Sequence, residues 1–171
     1  MKRIAVLIGL CLFLLAASEV AAQHPDFSGE WTVRAEERGG FRAGEFGSGW
    51  GRTVTMTQDA TTLTVEWAFF TRGDLQPPLK FAYPLDGSRA TATVLMGRGA
   101  QEQVSTAVWQ GDRLVITTEF PFENPRTGEM ATTTMRRTLS LTAPDTLVVE
   151  TTIDGVPGGA PTTSRTVYTR S

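Results

Sequence analysis

Alternation of apolar and polar side chains, with a period of two residues, is the feature of this sequence that most limits its fold. From Thr61 onward every second residue of one segment is apolar, namely Leu63, Val65, Trp67 and Phe69. The same alternation recurs further along the chain, interrupted by turn residues about every eight to twelve positions. A strand of this kind buries one face only, and short loops make successive strands antiparallel. The sequence therefore predicts an all-β, antiparallel up-and-down meander of about 8–10 strands.

Closure of this meander into a barrel is the expected architecture. A twisted antiparallel sheet of this size tends to close on itself, because closure removes edge strands that would otherwise aggregate. Two dipeptides, Asp86-Gly87 and Gly111-Asp112, are two-residue hairpin signals, since Gly and Asp tolerate the positive φ angles of such turns. We therefore expect a barrel and not a sandwich.

The N-terminus has the features of an export signal. A basic start at Lys2 and Arg3 precedes the apolar run from Ile4 to Ala17, and small residues follow up to Ala22. Fourteen residues at about 1.5 Å rise cover about 21 Å, which is too short for a hydrocarbon layer of about 30 Å. We expect residues 1–22 to be a signal peptide and residues 23–171 to form one barrel domain in the periplasm or outside the cell.

Composition excludes several classes of function. Removing Lys2, Arg3 and Glu19 from the 16 basic and 18 acidic residues leaves a net charge of −3, which disfavours nucleic-acid binding. The single cysteine, Cys11, lies in the predicted signal, and the single histidine, His24, lies beside the expected new N-terminus as a solvated tail residue. A Ser-His or Cys-His catalytic system and the usual zinc site are therefore not expected, and we predict neither a metal nor a cofactor.

Threonine is abundant after the signal, with 26 residues against 11 valines. It is β-branched and suits the wet outer face of a pleated sheet. We interpret its abundance as architectural.

The segment from Gly39 to Gly51 departs from the meander because it combines six glycines with three aromatic residues, Phe41, Phe46 and Trp50. One interpretation is a disordered connector. The other is a mobile lid whose aromatic side chains cover the mouth of the barrel.

The segment Pro25-Asp26-Phe27-Ser28-Gly29-Glu30-Trp31 resembles the Gly-x-Trp opening of lipocalin-like barrels. It is also similar to the Pro-x-Phe-Ser-Gly-x-Trp opening of small exported bacterial proteins of unassigned function. The resemblance implies that Trp31 plugs the base of the barrel after Gly29 and that a basic residue of the last strand lies across its ring. Arg170 is the matching residue, and Arg165, of opposite strand phase, competes with it.

Few residues remain for catalysis. Glu66 and Glu119 alternate with the apolar positions and are expected on the outer face, but either could act as a general acid or base if it pointed inward. Arg98 lies at a predicted hairpin tip, where it could meet an anionic ligand or serve as a polar turn residue. A cofactor-free barrel isomerase or cyclase that combines an inward Glu with Arg or Tyr is therefore one functional hypothesis.

The strongest functional signal is aromatic, because six residues fall on or near the central strands: Trp67, Phe69, Phe81, Tyr83, Trp109 and Phe120. They either fill a small barrel as core or line a cavity for one apolar or aromatic small molecule. With Trp50 and Arg98 as further ligand candidates, we expect a non-catalytic, monomeric binding protein.

A small outer-membrane barrel is a third hypothesis, because it also combines an export signal with alternating strands. The C-terminal Tyr168-Thr169-Arg170-Ser171 lacks a terminal aromatic residue, and the predicted loops do not alternate between long and short. Both features disfavour it.

Overall fold

A computed structural model describes residues 24–34, 48–68, 78–96, 99–124, 127–156 and 159–171 of the chain. The predicted signal peptide, residues 1–22, lies outside the described residues. The same holds for Phe41 and Phe46 of the glycine-rich segment.

The described residues form ten β-strands that belong to one antiparallel sheet, which confirms the predicted all-β up-and-down fold. The strands are β1 (Gly29–Val33), β2 (Thr53–Gln58), β3 (Thr62–Trp67), β4 (Leu79–Pro84), β5 (Ala90–Met96), β6 (Gly99–Gln110), β7 (Arg113–Glu123), β8 (Met130–Ala143), β9 (Thr146–Asp154) and β10 (Thr162–Arg170). The first strand pairs with the last, so the sheet curls into a nearly closed barrel with the order β4-β3-β2-β1-β10-β9-β8-β7-β6-β5. Within the described residues, no helix is long and apolar enough to cross a membrane.

The barrel is not closed by hydrogen bonds, because within the described residues β4 and β5 form no ladder. The chain does turn at Asp86-Gly87, where Gly87 has a φ of 81° and the Asp86 carboxylate accepts the Ser88 N–H at 2.9 Å. This turn does not produce the paired hairpin that we expected. Pro84, at the end of β4, has no N–H to donate and suits an edge strand. By contrast, Gly111-Asp112 joins β6 to β7 in a paired hairpin, with Gln110 opposite Arg113.

Connections of different length collect at the two ends of the barrel, because up-and-down strands place alternate connections at the same end. The short-turn end holds residues 59–61, 85–89, 111–112 and 144–145. The opposite end, which we call the long-loop end, is the end at which β1, β3, β5, β7 and β9 finish. Four of the five strand pairs joined there are separated by six or more residues in the sequence, against five or fewer at the short-turn end, which differs from the expectation that long and short loops do not alternate.

The short-turn end is sealed by Trp31, which is fully buried. Its indole Nε1 donates a hydrogen bond to the carbonyl oxygen of Phe27 at 2.9 Å, and the Arg170 guanidinium carbon lies 4.4 Å from the centre of its ring. Arg170, and not Arg165, is thus the basic residue across this tryptophan. Gly29 makes the contact possible, because a Cβ at this position would lie 2.7 Å from Nη1 of Arg170.

Threonine occupies both faces of the sheet, so its interpretation as an outer-face residue is only partly right. Four threonines point inward and are buried, namely Thr118, Thr133, Thr151 and Thr166. They share the inward phase of their strands with apolar side chains such as Leu139 and Val149. Part of the barrel interior is therefore polar.

Replacing Arg170 with Met is expected to lower the free energy of unfolding by about 1–3 kcal/mol. The substitution removes the contact with Trp31 and the hydrogen bonds that Arg170 donates to the carbonyl oxygens of Ser28 and Pro144. Urea denaturation measures the change. The exposed Arg113, substituted in the same way, is the control and should change stability by less than about 0.5 kcal/mol. Equal losses of stability in the two variants would contradict the stabilising role of Arg170 over Trp31.

Candidate ligand-binding cavity

A cavity of about 350 Å³ lies inside the half of the barrel next to the long-loop end. Volumes of this size are within the range of small-molecule sites. Its walls are mostly apolar and come from both sides of the barrel, including Trp67, Leu79, Phe81, Phe120, Met135 and Ile153. The barrel therefore has space for a ligand, and not only a solid core.

The floor of the cavity follows from strand register. Leu139 on β8 lies opposite Leu114 of β7 and Val149 of β9, and all three side chains are fully buried. We call these three residues the floor layer. Arg137 lies on β8 two residues closer to the long-loop end than Leu139, and it lines the cavity. The side chain immediately above the floor layer on β8 is therefore a cation.

Arg137 is buried, with only 6% of its surface exposed. Its Nε–H donates a hydrogen bond to the carbonyl oxygen of Ser48 at 2.6 Å, and its guanidinium carbon lies 5.0 Å from the centre of the Trp50 ring. Among the described residues, no carboxylate forms a salt bridge with it. Burial lowers the pKa of Arg137, and the nearby Tyr83 and Tyr168 oppose this effect. A guanidinium starts from so high a pKa that it remains charged at neutral pH.

The turn from Ser48 to Gly51 brings Trp50 into the barrel and is held by a chain of hydrogen bonds. The Trp50 N–H donates to Ser48 Oγ at 3.1 Å, and Ser48 Oγ lies 2.5 Å from the Tyr168 hydroxyl. That hydroxyl donates to the Gly51 carbonyl oxygen at 3.0 Å. Because the Tyr168 proton is used on Gly51, the Ser48 hydroxyl is the donor to Tyr168.

Gly49 is required in this turn for two reasons. Its φ of 77° lies in the left-handed region that favours glycine. A Cβ on Gly49 would also lie 2.8 Å from Nη2 of Arg137. The absence of a side chain at this position leaves room for the guanidinium.

A series of aromatic rings continues from Trp50 along one wall of the cavity. The ring centres of Trp50 and Trp67 are 6.4 Å apart, those of Trp67 and Phe81 are 5.1 Å apart, and those of Phe81 and Tyr83 are 6.3 Å apart. Spacings of this size are typical of favourable aromatic pairs. The series forms a continuous apolar wall.

Several buried polar atoms of the interior lack hydrogen-bond partners. In the described part of the chain these are Nε1 of Trp50 and the hydroxyl oxygens of Thr133, Thr151 and Thr166. Most buried polar groups in proteins are paired, so a group of unpaired ones requires an explanation. Thr133 lines the cavity, which makes its hydroxyl available to a ligand.

The predicted ligand residues have different locations. Four of them line the cavity, namely Trp67, Phe81, Tyr83 and Phe120. Trp50 is fully buried against Arg137 and Trp67, whereas the other two aromatic residues of the lid hypothesis, Phe41 and Phe46, lie outside the described residues, so the lid stays a prediction. Phe69 and Arg98 lie outside the described residues.

Trp109 lies at the short-turn end and is not among the residues that line this cavity. Its ring stacks on His24, with ring centres 4.1 Å apart, and on Phe27 at 5.9 Å. Trp109 is the last residue of β6 whose side chain points inward, two positions after Ala107. It packs there on the N-terminal segment. His24 is exposed, as expected for a tail residue, and its ring stacks on Trp109.

The two candidate glutamates do not reach the cavity. Glu66 lies on the face of β3 opposite the buried Val65 and Trp67, with Lys80 of β4 beside it in register. The Glu119 side chain is 53% exposed and lies 3.7 Å from Arg89. The strand alternation that buries their neighbours directs both carboxylates outward.

Sequence reasoning missed Arg137, although a signal was present. Met135, Leu139 and Leu141 define the inward phase of β8, and Arg137 occupies the same phase. An arginine within an apolar series is the recognisable feature.

Comparison with protein-family models, with curated proteins and with solved structures finds no match for this chain. In the described residues, no group of three or more potential metal ligands is present. The function must therefore be argued from the cavity.

Replacing Gly49 with Ala should destabilise the protein more than replacing Gly111 with Ala. Both glycines have positive φ angles, 77° and 66°, so each substitution introduces backbone strain of about 1–2 kcal/mol. A Cβ at Gly111 meets nothing within 4 Å, whereas one at Gly49 displaces Arg137. We expect an additional loss of about 1 kcal/mol for the Gly49 variant, measured by urea denaturation. Equal losses would show that the guanidinium position is not constrained by this turn.

The two tyrosines of the chain are expected to resist ionisation in the folded protein. Burial raises the pKa of Tyr168 to about 12 and also raises the pKa of Tyr83, while the Arg137 charge opposes both shifts. In the unfolded chain a tyrosine ionises near pH 10. The stabilisation from neutral tyrosines is therefore complete below about pH 10 and falls as the pH rises from about 10 to about 12.

Near-ultraviolet absorbance of tyrosinate measures this difference. The folded protein should show little tyrosinate at about pH 10.5, whereas the protein in guanidinium chloride should show about half or more. Comparison of the wild type with the Tyr168→Phe variant shows which part of the absorbance change comes from ionisation of Tyr168. Ordinary titration of both tyrosines in the folded protein would contradict their burial.

Proposed function

We propose that this protein is an extracytoplasmic binding protein that holds a small, mainly apolar ligand inside its barrel without transforming it. The observation that carries the proposal is the cavity of about 350 Å³ with aromatic and aliphatic walls. Apolar burial would supply most of the affinity, and a few polar groups would orient the ligand.

The architecture supports this proposal. A ten-stranded, nearly closed antiparallel barrel is compatible with a lipocalin-like protein. Trp31 beneath Arg170 at the sealed end is the arrangement that the Gly-x-Trp resemblance implies. The extracytoplasmic location rests on the signal-like sequence of residues 1–22.

The alternatives have less support from the described residues. The carboxylates Glu66 and Glu119 lie on the outer face, so neither supports a barrel isomerase or cyclase with an inward glutamate. Charged side chains such as Lys80, Arg136 and Glu150 also occupy outward positions within strands and are exposed. An outer-membrane barrel needs an apolar outer band, so these charges favour a water-facing surface.

Filling the cavity should weaken ligand binding. In the Met135→Trp variant a larger side chain occupies the space, and the affinity for the neutral probe N-phenyl-1-naphthylamine should fall at least tenfold in isothermal titration calorimetry. The control is Val108→Trp, which adds the same side chain at an outer-face position that is 47% exposed. Its affinity should equal that of the wild type, and circular dichroism should show both variants folded.

Two results would contradict the proposal. One is the absence of binding by the wild type for this probe and for other apolar molecules. The other is an equal loss in both tryptophan variants, which would place the probe outside the cavity.

A further inference from the structure

Arg137 is the feature of the cavity that a purely apolar ligand does not explain. It is an arginine charge within a barrel interior, and no carboxylate in the described part of the chain pairs with it. Burial of an uncompensated charge is strongly unfavourable, so such groups are retained where they serve a purpose. The contacts to Ser48 and Trp50 hold the side chain in place but leave its positive charge unneutralised.

The hydrogen-bonding capacity of Arg137 is also only partly used. Its Nε–H has a partner in the Ser48 carbonyl, whereas no described residue accepts a hydrogen bond from its terminal nitrogens. The side chain nevertheless borders the cavity. A guanidinium has donors in a planar fork that matches the two oxygens of a carboxylate.

The position of Arg137 defines the orientation of a ligand. On β8 it lies between the floor layer and Met135, and Met135 lies opposite Thr118 and Ile153, which also line the cavity. Beyond them, towards the long-loop end, lie Phe120 and Phe122. The cation is thus at the deep end, with apolar walls extending away from it.

Resting on the proposed function, we propose that the ligand is an amphipathic monocarboxylate. Its carboxylate binds Arg137 at the deep end of the cavity, and its apolar body lies between the Phe81 and Phe120 sides of the barrel. The hydroxyl of Thr133, buried and unpaired at the cavity wall, is available to a polar atom further along the ligand. Tyr83 and Tyr168 lie near the guanidinium charge of Arg137 but do not neutralise it, because both tyrosines remain protonated at neutral pH.

A set of three matched ligands tests the carboxylate preference. Decanoate, decan-1-ol and decylamine have apolar chains of similar length and differ in the charge of the head group. Isothermal titration calorimetry on the folded wild-type protein at pH 7 should give at least tenfold tighter binding for decanoate than for decan-1-ol, and the weakest binding for decylamine. Equal affinities for decanoate and decan-1-ol would overturn the inference.

Two substitutions test whether the preference for a carboxylate depends on Arg137. Arg137→Met keeps an unbranched side chain but removes the charge, so decanoate should bind at least tenfold more weakly while decan-1-ol binds as before. Arg136→Met, on the adjacent outward position, is the matched control and should leave both affinities unchanged. Retention of the decanoate preference in Arg137→Met would also overturn the inference. Replacement of a buried charge by an apolar side chain is often neutral for stability, and circular dichroism checks the fold of both variants.

A measurement on the wild type does not depend on any variant. The carboxyl group of bound ¹³C-labelled decanoate should titrate below its free pKa of about 4–5, because the cation favours the ionised form. An unshifted or raised pKa would contradict the contact with Arg137. Failure of all three ligands and of the neutral naphthylamine probe would instead reject the proposed binding function. Binding of neutral ligands without a carboxylate preference would reject the present inference alone.

Discussion

Burial of the Arg137 charge is the physical constraint on which the half of the barrel next to the long-loop end depends. Water does not surround this guanidinium, so protein groups must hold it, and the Ser48 carbonyl and the Trp50 ring do so. These groups come from a turn that enters the barrel between β1 and β2. The turn is fixed in its own right by Ser48, Tyr168 and Gly51 through successive hydrogen bonds. The inward course of the 48–51 segment therefore rests on the Arg137 contacts together with these hydrogen bonds.

The two halves of the barrel interior are packed differently. At the short-turn end Trp31, Phe27 and the floor layer fill the interior with apolar side chains, and Arg170 covers the tryptophan from outside. Towards the long-loop end the same strands continue, but their inward positions include threonines and an arginine as well as large apolar residues. Close packing stabilises the sealed half. The unfilled and partly polar half contributes less to stability and is the part that can accept a ligand.

The period-two pattern was sufficient to predict the strands and their antiparallel order, because each strand has to bury its own apolar face. The Gly-x-Trp resemblance also predicted a basic residue of the last strand across Trp31, but it left both Arg170 and Arg165 open, and the structure places Arg170 there. The pattern could not predict that β4 and β5 remain unpaired, because pairing at the seam depends on barrel geometry and on Pro84. Nor could composition separate inward threonines from outward ones, since only register does so. Arg137 was detectable from its phase between Met135 and Leu139, but its partners Ser48 and Trp50 come from a segment with no periodic pattern.

The groups around Arg137 explain why a cation can be kept available inside this cavity. A glutamate beside it would form an internal ion pair, whose strong attraction in a poorly solvated interior would occupy the guanidinium. Tyr83 and Tyr168 lie near the same charge, but burial raises their pKa values, so that neither becomes an anion at neutral pH. The Trp50 ring attracts the guanidinium through its electron-rich face and carries no charge of its own. Within the described residues the charge is thus held by neutral groups and retains its attraction for an anion, which is the property that distinguishes a recognition site from an internal salt bridge.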